Sequence, residues 1–447
     1  MASNPGATIA APRLRRVSRL ALPLIAGAMA TNLVTIVDTL MVAQLGDRAL
    51  AGVGIAGQMI FLFLTIALGL GAGVQAMVAR RVGENRVSET GLVLNAGLLM
   101  AVVTGALMVI VSYAVMPVIF GALSEDALVV EAGWAYLATR IPSILFIATN
   151  VVFRSYWVGV SRAKWSMVSI VAVSLANVVF NYMLIFGNLG APELGVAGAG
   201  LGSTLAVLVG LLANAAFAMK LARANGFLKG LPAAEHTRTI VRISYPESLR
   251  QALFSLGVLT MYVLIGKIGT TEIAVFHVVI SVCMLAYMPH IGIGGAATTL
   301  VGEAMGRKDS EDAKAWGWYV SSVGLATLLA VAAVIAVYPQ PVLKLFFADA
   351  AAVTFAALPL QIALLAHVLD GYGKVLGSAL IGAGATPSAM RLTVLPQWLL
   401  LLPALAIAVL SGHGLVAAML IFCASTAIAA LFSACTWQRG TWLHTAV

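Results

Sequence analysis

One carboxylate, Asp38, lies inside the first long apolar run of this 447-residue chain. A charged residue at the centre of a membrane-spanning helix costs about 2.5–3.5 kcal/mol, so such residues are rare and usually functional. In that setting a carboxylate can take up a proton or hold a cation. Asp38 therefore predicts an ion-coupling site. The alternative is a hydrated residue near the outer surface, because 18 residues of helix place it roughly 27 Å from Leu20.

Two amides in a later apolar run are spaced to act together. Asn177 and Asn181 lie one helical turn apart and share a helix face, and Ser203 follows on the next predicted helix. These groups predict either a polar site or hydrogen bonds between helices, which contribute about 0.6–2 kcal/mol per contact.

A third set of ionisable residues is in the second half of the chain. Asp370 has His367 three residues before it and Lys374 four residues after it, so all three share a face. They predict either a second ion or substrate site or a neutralised Asp–Lys pair. Arg140 and Gln58 are secondary candidates. Arg140 either faces a cavity inside the protein or extends to the outer surface, and Gln58 is a candidate for lining the same cavity.

The composition places these residues in a membrane protein. Hydrophobic residues make up 61% of the chain and charged residues 10%, against roughly 25% charged in soluble domains. The net charge of +9 arises from basic residues in short loops, which is typical of membrane topology and not of a nucleic-acid-binding surface. The three cysteines fit neither a disulfide framework nor a metal site.

Twelve apolar runs are long enough to span a bilayer, and we predict an all-α membrane protein. The predicted spans are 20–43, 51–79, 91–120, 130–158, 166–186, 196–221, 240–265, 271–302, 315–338, 351–381, 390–410 and 415–437. Basic residues concentrate in the loops of one side, and the other side holds Arg48, Lys267 and Lys344. This asymmetry predicts that both termini are cytoplasmic. The short loops suggest the inner membrane of a bacterium.

The two halves of the chain align at a constant shift of 223 residues. Pro23 then matches Pro246, and Gly83 matches Gly306. The repeat predicts an N-terminal six-helix lobe at 1–222, a cytoplasmic linker at 223–239 and a C-terminal six-helix lobe at 240–447. Two such pseudo-symmetric bundles usually enclose a central cavity, which favours a transporter.

Several segments carry motifs whose order and spacing are specific when taken together. The first helix, RLALPLIAGAMATNLVTIVDTLMVAQLGD, has a proline near its start and then an acid. The turn VARRVGENR follows the second helix, and VGEAMGRKD repeats it in the second half. LIGAGATPSAM forms the turn after the tenth predicted helix. Together these segments resemble the MATE (multidrug and toxic compound extrusion) family, and more closely its DinF-like branch. The resemblance covers nearly the whole chain.

The resemblance implies a two-lobed exporter of organic, often cationic, compounds in exchange for H⁺ or Na⁺. It also implies that Asn177, Asn181 and Ser203 support Asp38. Some members carry Asp where this chain has Asn181, and that departure favours H⁺. No G-x-x-x-x-G-K-[ST] motif is present, so we expect no cofactor beyond the coupling ion. The expected partners are an amphipathic organic cation and the bilayer, with no nucleic acid, and the chain is expected to be a monomer.

Three other functions are alternatives to an antiporter. A lipid-linked oligosaccharide flippase of the same superfamily would need a cavity rich in Arg and Lys, and few basic residues fall within the predicted spans. A membrane enzyme would need a convergent catalytic set, which the sequence does not show. A passive channel would conduct without coupling. We therefore predict an antiporter, with the flippase as the alternative.

Overall fold

The fold of this chain is that of an α-helical membrane protein. The computed structural model describes residues 5–123, 126–230 and 234–444, and every regular element in those ranges is a helix. In hydrocarbon a lone helix satisfies its own backbone hydrogen bonds, and long apolar segments therefore fold as helices. The predicted all-α membrane class is confirmed. The predicted linker 223–239 includes 231–233, which lie outside the described residues.

The helices follow one another along the chain with short connections. They are α1 (Pro5–Ala43), α2 (Asp47–Gly83), α3 (Thr90–Leu123), α4 (Ala127–Arg140), α5 (Ser143–Gly159), α6 (Ala163–Phe186), α7 (Gly195–Leu221), α8 (Ala234–Gly266), α9 (Thr270–Ala286), α10 (Met288–Gly306), α11 (Ser310–Val337), α12 (Pro339–Leu343), α13 (Ala350–Gly382), α14 (Thr386–Leu395), α15 (Leu402–Leu410) and α16 (Leu415–Arg439). A π-helical turn, Pro396–Leu401, joins α14 to α15.

Two of the predicted spans are broken. In the described part of the chain, ten helices are long and apolar enough to cross a membrane, and two bent pairs bring the total to twelve. Helices α4 and α5 meet at 49°, and α9 and α10 meet at 46°. The sequence predicts each pair as one uninterrupted helix. Pro142 lies at the first break and Pro289 at the start of α10, and a proline cannot donate the backbone hydrogen bond that would continue a helix.

The chain forms two compact units. The first unit is Ala26–Ser248, and the second unit combines the residues up to Ile25 with those from Leu249 onward. The boundaries fall inside α1 and α8, so each of these helices begins in one unit and ends in the other. Ile25 and Ser248 are also equivalent positions at the repeat offset of 223 residues. The lobe limits 1–222 and 240–447 stay a prediction from the repeat.

Ion pairs fix the first residues of α1 within the second unit. Arg13 lies 3.0 Å from a carboxylate oxygen of Asp312, and Arg16 pairs with Glu303, whose side chain is buried. The Arg13 guanidinium also lies 5.1 Å from the ring centre of Trp316. These contacts hold the N-terminal turns of α1 against α10 and α11.

Each unit has its own apolar core. In the first unit Val74, Leu94 and Trp157 are fully buried in a cluster that joins α2, α3 and α5. In the second unit Phe276 and Leu360 belong to a cluster centred on α9 and α13. Polar residues inside each unit define the candidate sites.

Candidate functional site

Small residues bring α6 and α7 into backbone contact in the first unit. Gly198 and Gly202 are four residues apart on α7, and they form the spacing that lets two membrane helices approach closely. A Cβ at Gly202 would lie 3.1 Å from the backbone nitrogen of Asn181, and one at Gly198 would lie 2.5 Å from the carbonyl carbon of Leu184. The glycines therefore place α7 directly beside the polar face of α6.

Asp38 receives hydrogen bonds from that polar face. Asn181 donates from Nδ2 to Oδ1 of Asp38 at 2.8 Å. In its favoured orientation the Asn177 amide donates from Nδ2 to both Asp38 oxygens, at 2.6 and 3.1 Å. Its Oδ1 then accepts from the Ser203 hydroxyl at 3.0 Å. The structure thus brings together the four residues predicted for the first lobe, although their part in ion coupling stays a prediction.

The polar group is shielded from solvent. Asn181 is 1% exposed, while Asn177 and Ser203 are also buried and Asp38 is half-buried. One oxygen of the amide, Asn181 Oδ1, is buried without a hydrogen-bond partner among the described residues. The half-buried carboxylate is therefore held by N–H donors that are themselves buried.

A positive charge acts on the same carboxylate. Arg140 is the last residue of α4, at the bend before α5, and its guanidinium is within electrostatic reach of Asp38. Its Nη1 is buried and has no hydrogen-bond partner in the described part of the chain. Arg140 thus belongs to the Asp38 site. Gln58, the other secondary candidate of the first lobe, is exposed on α2.

These donors stabilise Asp38 in its charged form. A proton bound there would turn an acceptor oxygen into a donor, so an amide would have to move or rotate. A bare cation such as Na⁺ would need oxygen ligands, which the amides would provide only after rotation. Among the described residues no group of three or more His, Cys, Asp or Glu could hold a metal ion.

The second unit contains the other predicted set of residues. Lys374 Nζ lies 2.7 Å from Asp370 Oδ2, one helical turn away on α13. The same ammonium lies 4.1 Å from the ring centre of Phe254 and 5.3 Å from that of Tyr287. Asp370 and Lys374 therefore form the ion pair that the sequence left open, and aromatic rings surround it.

Two histidines lie beside this ion pair. His367 is buried, and its Nδ1 is 2.9 Å from the carbonyl oxygen of Ala363. His290 packs on Tyr287 with ring centres 4.3 Å apart, and its buried Nδ1 has no partner among the described residues. The sequence identified His367 but not the two aromatic rings. Phe254 and Tyr287 stand in apolar stretches where an aromatic residue carries no distinctive pattern.

A family model matches the chain twice. The model is MatE, and it matches residues 23–183 and 246–407. The chain belongs to the MatE family. Its two matches begin 223 residues apart, at the offset that the internal repeat gives. Membership also confirms the prediction that the chain is a transporter and not an enzyme.

Curated relatives of similar length agree with this family. A Synechococcus sp. protein named probable multidrug resistance protein NorM is 29% identical over 86% of this chain and 85% of its own length. A protein of the same name from Thermotoga maritima is 26% identical over 88% of this chain and 85% of its own length. Multidrug resistance protein NorM from Burkholderia vietnamiensis is 26% identical, covering 85% and 84%.

Solved structures share the fold. A MOP superfamily transporter from Pyrococcus furiosus, for which reverse polarity of the binding pocket suggests a different function, superposes with a TM-score of 0.89. An outward-facing multidrug resistance MATE family transporter of the same superfamily gives the same score. Each is 22% identical and covers 100% of both chains. At that identity the likeness establishes the fold.

Proposed function

We propose that this chain is a proton-coupled antiporter that exports amphipathic organic cations by alternating access. It acts as a monomer in the bacterial inner membrane, with both termini in the cytoplasm. The observation that carries the proposal is the Asp38 carboxylate, which is held by Asn181 at 2.8 Å and by the reoriented Asn177 amide. A half-buried, hydrogen-bonded carboxylate within a membrane helix is suited to exchanging a cation.

The arrangement favours a proton over Na⁺. The first-lobe site has one carboxylate, and its nearest neighbours present N–H groups toward it. Na⁺ would require several oxygens to converge, whereas a proton requires only the carboxylate and a small rearrangement of the amides. Asn181 replaces the second acid that would strengthen a Na⁺ site.

The coupling follows from the residues that Asp38 links. The carboxylate is on α1, the amides are on α6 and Ser203 is on α7. Protonation removes the negative charge that holds both amides, and the packing of α1 against α6 and α7 then changes. The inward proton gradient supplies the energy for this change in packing, because one charge that crosses 100 mV yields about 2.3 kcal/mol.

The substrate class follows from chemistry and from the relatives. Several relatives have names that describe multidrug resistance proteins. Carboxylates among aromatic and apolar side chains favour cations with hydrophobic bodies. Amphipathic organic cations meet both conditions.

The proposal is tested by transport in liposomes. Ethidium uptake is followed in vesicles containing the full chain, first under a pH gradient and then under a Na⁺ gradient. We expect the pH gradient to drive transport by the wild type and to drive none by Asp38→Asn. Asp47→Asn, an exposed acid at the start of α2, serves as the matched control and should transport normally.

Two results would contradict this proposal. Equal transport by Asp38→Asn and the wild type would show that Asp38 does not couple. Absence of ethidium transport by the wild type under both gradients, with movement of a fluorescent lipid-linked sugar between leaflets, would replace the antiporter with the flippase. A thermal unfolding transition of Asp38→Asn in detergent that matches that of the wild type shows that the variant is folded.

A further inference from the structure

The ammonium group of Lys374 is surrounded as a bound ligand would be. It contacts the Asp370 carboxylate at 2.7 Å, and the rings of Phe254 and Tyr287 lie within cation–π distance. The four side chains come from α8, from α13 and from the break between α9 and α10, all within the second unit. The side chains of Lys374 and Asp370 are 18% and 21% exposed, so the group is partly open.

This combination of groups is the one that proteins use to bind ammonium ligands. An aromatic face attracts a cation through its quadrupole, and several faces with one carboxylate form an aromatic cage. We propose that Asp370, Phe254 and Tyr287 form a binding cage for an organic ammonium ion, which Lys374 occupies as a tethered competitor. The substrate class rests on the proposed function, but the cage is defined by its own contacts.

The walls of the cage are held in place. The Tyr287 ring packs on buried His290, with ring centres 4.3 Å apart, and it meets the ring of buried His367 edge-on, with ring centres 6.2 Å apart. These contacts hold the Tyr287 ring independently of the cation. A preorganised cage loses little conformational freedom on binding, and this favours affinity for a ligand of the right charge.

The occupant, by contrast, can leave. The ammonium of a lysine sits on a flexible chain of four carbons with several rotatable bonds. A substrate cation that enters the cage displaces it, and the tethered ammonium returns when the substrate departs. Lys374 therefore weakens binding and speeds release, which suits an exporter that must discharge its cargo.

A second basic residue, Arg250, lies near this cage. The guanidinium of Arg250 is within electrostatic reach of Tyr287 and His290. It opposes a second cation nearby, and it could take over Asp370 when Lys374 is removed. The test therefore includes variants at both basic residues.

The test measures equilibrium binding to the purified full-length protein, without any gradient. Tetraethylammonium and ethidium are titrated into the wild type, Lys374→Met and Lys374→Arg. Removal of the tethered cation should tighten binding of both probes about tenfold. Lys374→Arg keeps a cation in the cage and should bind as the wild type does. Adding Phe254→Leu to Lys374→Met should abolish the gain.

Other results would overturn the cage. If folded Lys374→Met and the double variant with Arg250→Met both bind the probes no more tightly than the wild type, the group is only a structural ion pair. A gain that also appears for an uncharged probe of ethidium's size would show a nonspecific opening. If the gain is present but liposomes show no transport, the cage stands and the proposed function fails.

Discussion

The side-chain amide of Asn181 lies 2.8 Å from the carboxylate of Asp38, although the two residues are 143 positions apart in sequence. The contact joins α6 to α1 inside the first unit. It is a hydrogen bond to a charged group in surroundings of low polarity, where such bonds are strong. The state of one carboxylate is therefore linked to the packing of two helices.

A second acid at this contact should change the coupling ion. Asn181→Asp would place two carboxylates about 3 Å apart, close enough to hold Na⁺ between their oxygens. We expect a Na⁺ gradient to drive ethidium transport by this variant but not by the wild type. Asn181→Leu, which provides neither donor nor acceptor, should lose transport under both gradients. An Asn181→Asp protein that responds to protons alone would contradict the expectation.

A methyl group added to α7 at Gly202 should disturb the Asp38 site through Asn181. The Cβ of Gly202→Ala would lie 3.1 Å from the Asn181 backbone nitrogen and would press on its side-chain oxygen. Overpacking of this kind costs about 1–3 kcal/mol. We expect a lower thermal midpoint in detergent and weakened proton-driven transport. Gly57→Ala, where the added Cβ meets nothing within 4 Å, should leave both unchanged; equal behaviour of the two variants would refute the argument.

A buried chain of hydrogen bonds in the first unit should matter for stability alone. The Trp157 indole donates to Asn214 Oδ1 at 3.0 Å, and Asn214 donates to Asn150 Oδ1 at 2.8 Å. Asn214→Leu breaks both bonds, which costs about 1–3 kcal/mol for the buried groups left behind. The thermal midpoint should fall while the pH gradient still drives transport. Asn32→Leu, at an exposed position, is the control. A changed coupling ion in Asn214→Leu would contradict the prediction and give these hydrogen bonds a role in transport.

Acid should weaken the start of α4. The backbone N–H of Leu128 and then Arg48 hold the pKa of Asp126 below its ordinary value. A depressed folded-state pKa means that the carboxylate stabilises the fold at neutral pH, and that this contribution disappears as the pH falls through the depressed value. Between pH 7 and pH 3 the thermal midpoint of the wild type should fall more than that of Asp126→Asn. Parallel curves would contradict this assignment.

Much of the first site follows from the sequence because charges are conspicuous in apolar runs. Asp38 is recognisable from its surroundings alone, and Asn177 and Asn181 share a face through simple helical spacing. The resemblance to a known family then indicates that the amides and Ser203 support the acid. Asp370 and Lys374 are likewise one helical turn apart, and their ion pair is one of the two alternatives that the sequence predicts.

The rest depends on the angles of two bends, which local patterns do not encode although Pro142 and Pro289 mark where the breaks lie. Arg140 lies within electrostatic reach of Asp38 at the end of α4, where the chain turns by 49° before α5. Tyr287 lies at the other bend, between α9 and α10. A hydrophobic run predicts that a span exists, but the angle at its break is set by packing against neighbouring helices. Phe254, one of 16 phenylalanines, is recognisable only once the ammonium of Lys374 is placed.

The shared helices α1 and α8 have a consequence for the ancestry of this chain. Each passes from one unit to the other at repeat-equivalent positions, Ile25 and Ser248. Two separate copies of a single six-helix repeat would reproduce this arrangement by exchanging the first turns of their first helix, as domain-swapped dimers do. Neither half, produced alone, would contain all the helical segments of one compact unit.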